Sequence, residues 1–236
     1  VFQHESSNNI VGTGPAIPRA LEFAMREEFG DNFKHLIMSS WNFTRYISYG
    51  DKNINVSGNY MQEGAVEMLE LNILKGDKNS LEGANSLLLS EETAKTLFGD
   101  EDPLGKLVKI NNDKVAKVTA IYEDLPENNS FNGLKYLMPW KFYVATEEWV
   151  RNAENSWGNN SFQMFAQIND NTTMEAVSAK IRDINIVGNK VFSDEELLDR
   201  VELTFNSPWW DFMAQDRYQK QTLQGDMETI NSYYLD

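Results

Sequence analysis

"LLLSEETAKTLFGDEDPLGKLVKI", Leu87 to Ile110, packs a run of three leucines, a group of acids and two glycines into very little chain. Leu87, Leu88 and Leu89 predict a short buried strand, because an unbroken apolar run suits a strand covered on both faces. Ser90 is a good helix N-cap, its hydroxyl placed to accept an amide of the first turn. Glu91 and Glu92 follow where the helix dipole favours negative charge. Ala94, Leu97 and Phe98 form an apolar stripe, and Gly99 ends the helix. "DEDPLG" is a turn around Pro103 and Gly105. "KLVKI" alternates as a strand, "NNDK" turns, and "VAKVTAIYED" returns, so the unit reads strand, helix, hairpin.

On the N-terminal side, "VFQHE" predicts a short strand and "SSNNIVGTG" a loop. Pro15 and Pro18 lead into "RALEFAMREEFG", where Leu21, Met25 and Phe29 recur every four residues and Gly30 is the expected C-terminal cap. "FKHLIMSSWNFTRYISYG" and "DKNINVSG" read as returning strands. "GNYMQEGAVEMLELNILKGDKNSL" mixes periods and stays unassigned, apart from a turn at Gly76 and Asp77. On the C-terminal side, "LPENNSFNG" is a polar loop, "LKYLMPWKFYVATEEWV" a strand then a helix, and "RNAENSWGNN" a linker. "SFQMFAQI" alternates as a strand. Thr172 or Thr173 caps "MEAVSAKIRDI", and "RVELTF" is a further strand. Strand-helix-strand units thus flank a strand-rich middle.

The composition narrows the function. The chain has 236 residues, 41% hydrophobic and 24% charged, which suits one large or two small globular domains. Its formal charge is -15, and residues 191–236 hold ten acidic against three basic residues. A nucleic acid partner is excluded, since phosphate binding needs clustered Lys and Arg. There is no cysteine, which removes disulfides, thiolate metal sites and Cys nucleophiles together. His4 and His35 stand far apart, poor material for zinc or a catalytic triad. No apolar run is long enough to span a membrane, no signal peptide is visible, and Val1 in place of Met suggests a processed fragment.

The candidate chemistry is thin. Of the cluster Asp100, Glu101 and Asp102, Asp100 and Asp102 fit the alternate ligand spacing of a calcium loop but not its central glycine and distal glutamate, and Pro103 stiffens the chain, so a solvated turn is expected. "GTGP", Gly12 to Pro15, lacks the Lys-Ser/Thr of a phosphate loop. Glu147 and Glu148, or Glu195 and Glu196, are adjacent and would not face each other on a helix. Trp140, Phe142, Tyr143, Trp149 and Trp157 read as core filler or as a recognition patch. Of Trp209 and Trp210, one is expected near a surface. No catalytic, cofactor-binding or metal residue is assigned.

The order of these signals resembles the periplasmic core domain of MacB/FtsX-type ABC transporter permeases. The helix string at Ser90, Ala94, Lys95, Leu97, Phe98 and Gly99 matches that family. So do the turn Asp100 to Pro103 with Gly105 and Lys106, and the close at Asp124, Pro126, Asn129, Ser130 and Phe131. Ala120 stands where the family often has Gly. "GPAIPRALEFAMREEFG", "GNYMQEGAVEMLELNILKGD" and "WGNNSFQMFAQI" resemble flanking segments, and "ETINSYYLD" falls where a second membrane span would begin.

The resemblance implies an α+β fold in two subdomains. A Porter-like α/β part comes from residues 1–57 and 159–236, and a strand-rich Sabre-like part is inserted at residues 58–158. It implies a domain on the periplasmic side of the inner membrane, between membrane spans absent from this chain. Such a domain is not an enzyme. ATP is used on a separate nucleotide-binding subunit or domain, and this domain carries the resulting motion to partners or cargo. The implied partners are the cognate ABC ATPase, a second permease copy, and a periplasmic adaptor or lipoprotein cargo. A stand-alone ligand-binding or sensor module using the aromatic patch is the alternative, and an acid-rich hydrolase a further one.

Overall fold

The computed structural model describes residue 1, residues 3–7 and residues 10–177. Strands β1 (Gln3–Ser7) and β2 (Ile10–Gly14) pair antiparallel, with Ser7 opposite Ile10. A loop was expected over the second of these. β-branched Ile10 and Val11 favour extended backbone, and pairing with the first strand satisfies their amides. Then come β3 (Ile17–Pro18), α1 (Ala20–Phe29), β4 (Phe33–Ser39), β5 (Phe43–Tyr49) and β6 (Lys52–Met61). The mixed-period segment resolves into the end of β6, a single helical turn α2 (Ala65–Met68), and β7 (Ile73–Gly76).

The opening stretch forms as its sequence implies. It gives β8 (Ser86–Ser90), α3 (Glu91–Phe98), β9 (Leu107–Ile110) and β10 (Lys114–Tyr122). β11 (Tyr136–Pro139), α4 (Trp140–Thr146), α5 (Glu148–Asn152) and β12 (Asn160–Ile168) follow. A helix starts at residue 174, where the Thr173 hydroxyl accepts from the Ala176 amide at 3.2 Å, the expected cap. "RVELTF", Glu195, Glu196, Trp209, Trp210 and "ETINSYYLD" lie outside the described residues.

Six strands close on themselves. β8 pairs with β10, β10 with β9, β9 with β5, β5 with β6, β6 with β11, and β11 with β8. Gly58 sits where β6 leaves β5 for β11. A Cβ there would lie 2.1 Å from the Tyr136 carbonyl oxygen, so a side chain would block the closure. β4 meets the end of this ring through one ladder pair, Ser39 opposite Met61. β4 carries β12, which carries β3, and α1 packs on both β3 and β4 as an outer layer. The boundary expected between residues 57 and 58 falls inside β6.

Strand pleating divides the apolar residues between two cores. Leu87 and Leu89, Tyr136 and Met138, and Leu36 and Met38 enter the first core, under α1, α3, α4 and α5. Leu88, Leu137 and Ile37 enter the second, under α2 and residues 125–134. β10 changes sides. Ala116 and Val118 face the first core while Ala120 and Tyr122 face the second, and the register shifts between Val118 and Ala120. An extra residue in a strand reverses the alternation that follows it.

Gly99 does leave its helix with positive φ (63°), its amide bonding to the Lys95 carbonyl at 2.8 Å. Gly30 is the C-cap of α1 as expected, its amide bonding to the Arg26 carbonyl, but in right-handed conformation. Its φ is -49°, because the chain tightens into a 3-10 turn before β4.

Candidate functional site: the seam between ring and outer layer

A single ladder pair between β4 and β6 leaves backbone groups on both chains in need of partners. Two backbone bonds extend the contact, from the Ser40 amide to the Tyr60 carbonyl (2.9 Å) and from the Gln62 amide to the Met38 carbonyl (3.1 Å). Polar side chains complete it. The Asn59 amide group donates to the Ser40 carbonyl (2.8 Å) and the Ser39 hydroxyl (3.2 Å). The Ser40 hydroxyl accepts from the Tyr60 amide at 2.9 Å. Ser39, Ser40 and Asn59 are all buried. Buried polar groups are tolerated when paired, and these are paired across the seam.

α1 closes the same seam from outside. Glu22 is buried, and its Oε1 accepts from Arg26 Nε at 2.9 Å and from Gln62 Nε2 at 2.5 Å. Gln62 Oε1 in turn accepts from the Met38 amide (2.8 Å) and from Arg26 Nη2 (3.0 Å), while Arg26 also donates to the Leu36 carbonyl. A carboxyl group buried without such partners would be costly. Further along, Arg19 at the start of α1 is buried and donates through Nη1 to the Val150 carbonyl at 3.0 Å, fastening α1 to α5.

A second polar cluster holds the ring's own helix. The Asp124 carboxylate accepts from the Glu92 amide (2.8 Å) and from Lys135 Nζ (2.7 Å), and Lys135 reaches Glu92 at 3.1 Å. Partial burial works against the Asp124 charge. Hydrogen bonds from Lys135, the Glu92 amide and Ser90, with the charge of Lys135, outweigh it and hold the pKa below the ordinary value. The Asp124 bond holds the Lys135 pKa up. Nearby, the Tyr122 hydroxyl donates to the Leu134 carbonyl at 2.9 Å, and burial pushes its pKa well up.

The acids of the opening stretch stand on an exposed turn. Glu101 accepts from Lys106 (3.2 Å) and from the Tyr49 hydroxyl (3.1 Å), and Asp102 lies 3.9 Å from Lys75. Among the described residues no group of three or more His, Cys, Asp or Glu is placed to hold a metal ion. Gly12 to Gly14 belong to β2, and His35 lies on β4. Glu147 pairs with Lys114 at 2.6 Å, and Glu148 opens α5.

The aromatic group divides. Trp140, Phe142 and Tyr143 are core, with Tyr143 stacked on Tyr60 at 4.6 Å, while Trp149 and Trp157 are exposed. The five therefore do not line one groove. Sequence reasoning missed the seam. Ser39, Ser40, Asn59 and Gln62 look like ordinary loop or strand-end residues, and only the fold brings them together.

The family model for the MacB-like periplasmic core domain matches residues 1–184. A second family model, the POTRA-type surface antigen variable number repeat, matches residues 179–236, which include the segment expected to lead into a membrane span. A domain of a Porphyromonas gingivalis permease protein superposes with a TM-score of 0.59 at 19% identity, covering 72% of this chain and 76% of that one. The periplasmic region of MacB from Actinobacillus actinomycetemcomitans gives 0.55 at 12% identity, over 77% and 81%. The extracellular domain of the noncanonic ABC-type transporter YknZ from Gram-positive bacteria gives 0.53 at 16% identity, over 75% and 87%.

Among curated proteins, the outer membrane protein assembly factor BamA of Buchnera aphidicola is 31% identical over 77 residues, 33% of this chain. That of Neisseria meningitidis serogroup B is 35% identical over 65 residues, 28% of this chain. The matches span 12% and 8% of those two proteins. The structural neighbours share a mixed α/β, strand-rich fold with this chain. The motif string from Ser90 to Phe131, this shared fold and a family model spanning most of the length agree, and the chain belongs to the MacB-like periplasmic core domain family, the periplasmic domain of an inner-membrane ABC transporter permease.

Proposed function

We propose that this domain is a mechanical transmitter. ATP hydrolysis on a separate nucleotide-binding subunit or domain drives motion in the permease, and the domain carries that motion to a periplasmic adaptor or lipoprotein cargo without chemistry of its own. Permeases of this kind imply an ABC ATPase partner and a dimer in general. The observation that carries the reading is the seam. Ring and outer layer meet through one ladder pair between β4 and β6, whereas β4 and β12 pair along six positions. The sheet is narrowest there, so relative movement of the two parts would centre on this pair, with the seam's polar bonds and the shared first core re-forming around it.

In this reading the ring with its helices is the Sabre-like part and the outer layer the Porter-like part. The match of residues 179–236 to a different repeat supports ending the Porter-like part near residue 184 and treating the rest as a further unit.

The test uses the full-length permease in membranes. The cognate ATPase should co-purify with it. The distance between spin labels on the ring and on α1 should change between nucleotide-free and ATP-bound states. No ATPase in the purified complex, or one unchanged distance, would overturn the proposal.

A further inference from the structure

The α4–α5 pair crosses from one body to the other. α4 follows β11 directly and its Tyr143 stacks on Tyr60 of β6, so it is anchored to the ring, while its first residue, Trp140, also meets Phe162 of β12 edge-on at 5.5 Å. α5 rides on the outer layer. Trp149 stacks on Phe162 of β12 at 5.5 Å, and Arg19 of α1 bonds the Val150 carbonyl at 3.0 Å. Between the helices stands Glu147, the C-cap of α4 and the N-cap of α5, with extended backbone (φ -117°, ψ 106°).

The helices are therefore two rigid pieces with a one-residue joint. The Glu147 carboxylate does not cap α5. It turns to Lys114, at the start of β10, at 2.6 Å, with the two side chains 28% and 20% exposed. Arg45 of the ring adds attraction from farther off.

We propose that Glu147 is the hinge of this domain and that the Lys114–Glu147 ion pair is its latch. Closed, the pair fixes the joint to the ring's β9–β10 hairpin. Open, α5 turns about residue 147 with β12 and α1, Phe162 and Trp149 sliding past Trp140 and Tyr143, and α4 stays with the ring. Hinges are commonly such element-terminal residues, which absorb a change in φ and ψ while the packed bodies on either side keep their structure. A partly exposed ion pair suits a latch, because its strength is modest and solvent can replace it.

The inference rests on the reading of ring and outer layer as moving bodies, but its test needs neither membrane nor ATPase. The chain has no cysteine, so labels go only where they are placed. Spin labels at Lys109→Cys on β9 and Glu27→Cys on α1, both exposed, report the separation of the two bodies.

The parent should give one narrow distance distribution. Glu147→Gln and Lys114→Gln should each broaden it several-fold, and the double variant should broaden it no further. Raising salt from about 0.05 M to about 1 M should broaden the parent without any substitution, since salt screens exposed charges. Lys141→Gln removes an ion pair with Glu63 that lies on the ring side of the joint, and should leave the distribution unchanged. Identical distributions in parent and latch variants would overturn the hinge. So would equal broadening by Lys141→Gln, which would mean general loosening. Either result leaves the family membership and the ATP-dependent test standing.

Discussion

α1 and α3 are fastened in opposite ways. α3 is held by its near neighbours in the ring. Ser90 caps it, Gly99 releases it, and Asp124, on the segment that follows β10, takes the Glu92 amide. α1 has Arg19 at its N-cap position with no side-chain cap, and Gly30 after it in right-handed conformation. What holds α1 is distant in sequence: Arg19 to Val150, and Glu22 and Arg26 to Gln62. One helix is stabilised by its own ends, the other by the body it docks on. Loss of a docking contact should cost more, because it leaves buried groups unpaired on both sides.

Arg19→Met should have the largest effect among the four positions considered. It leaves the Val150 carbonyl without its donor and removes the ion pair with Glu154, at a cost of about 2–3 kcal/mol. The urea midpoint should fall with an unchanged slope, which marks lost stability without a change in the surface exposed on unfolding. A loss below about 0.5 kcal/mol would mean that α1 does not depend on α5. Glu22→Ala comes next, at about 2 kcal/mol, since Gln62 loses its acceptor inside the seam while Arg26, nearly half exposed, recovers water. Glu22→Gln should recover part of that loss by keeping an acceptor. Equal losses for the two variants would show that shape, not hydrogen bonding, is what Glu22 supplies.

The same contrast explains what was legible in the sequence. Apart from Asp124, which reaches the Glu92 amide from beyond β10, the devices that shape α3 are short-range rules: a run of leucines, a serine cap, two acids, a glycine, a proline turn. Such rules can be read without knowing the fold. The seam obeys no local rule. "MSSWN" and "GNYMQE" carry polar residues whose partners lie some twenty residues away or across α1, and nothing in their spacing says so. Nothing beside Arg19 in the sequence marks it as buried, yet it is. α2 and β7 stayed unassigned because their apolar residues serve the second core from a turn and a short strand, with no sustained period. The β10 bulge also hid, since Val118 and Ala120 share a parity that the register shift breaks.

On the α3 side, Asp124→Asn should cost about 1.5 kcal/mol, the scale of a hydrogen bond to a charged group. It also gives a pH signature. The folded pKa of Asp124 lies below its unfolded value, near 3.8, so the carboxylate stabilises the fold above that value. That stability is lost as pH falls from about 3.8 through the lower folded pKa, because the proton then binds the unfolded chain more tightly. Denaturation midpoints between pH 5 and pH 2 should fall less steeply in Asp124→Asn than in the parent. Parallel curves would remove Asp124 from the acid response.

Ser90→Ala should have the smallest effect among the four positions, about 0.5 kcal/mol, at the low end for an N-cap. The Ser90 hydroxyl lies 3.4 Å from the Thr93 amide, a long bond, while Asp124 already holds the Glu92 amide at 2.8 Å. Two acceptors thus share the first turn of α3, and removing the weaker leaves the stronger in place. The sharing has a measurable consequence. In the Asp124→Asn background the same Ser90→Ala change should cost more than it does alone, because the remaining acceptor then carries the turn. The double-mutant cycle should return a coupling of at least about 0.5 kcal/mol, as expected for residues in one network. Simple additivity would mean that the two caps act independently. α3 would then owe its stability to the apolar contacts of Leu97 and Phe98 in the first core, and it would resemble α1 in being held by what it docks on.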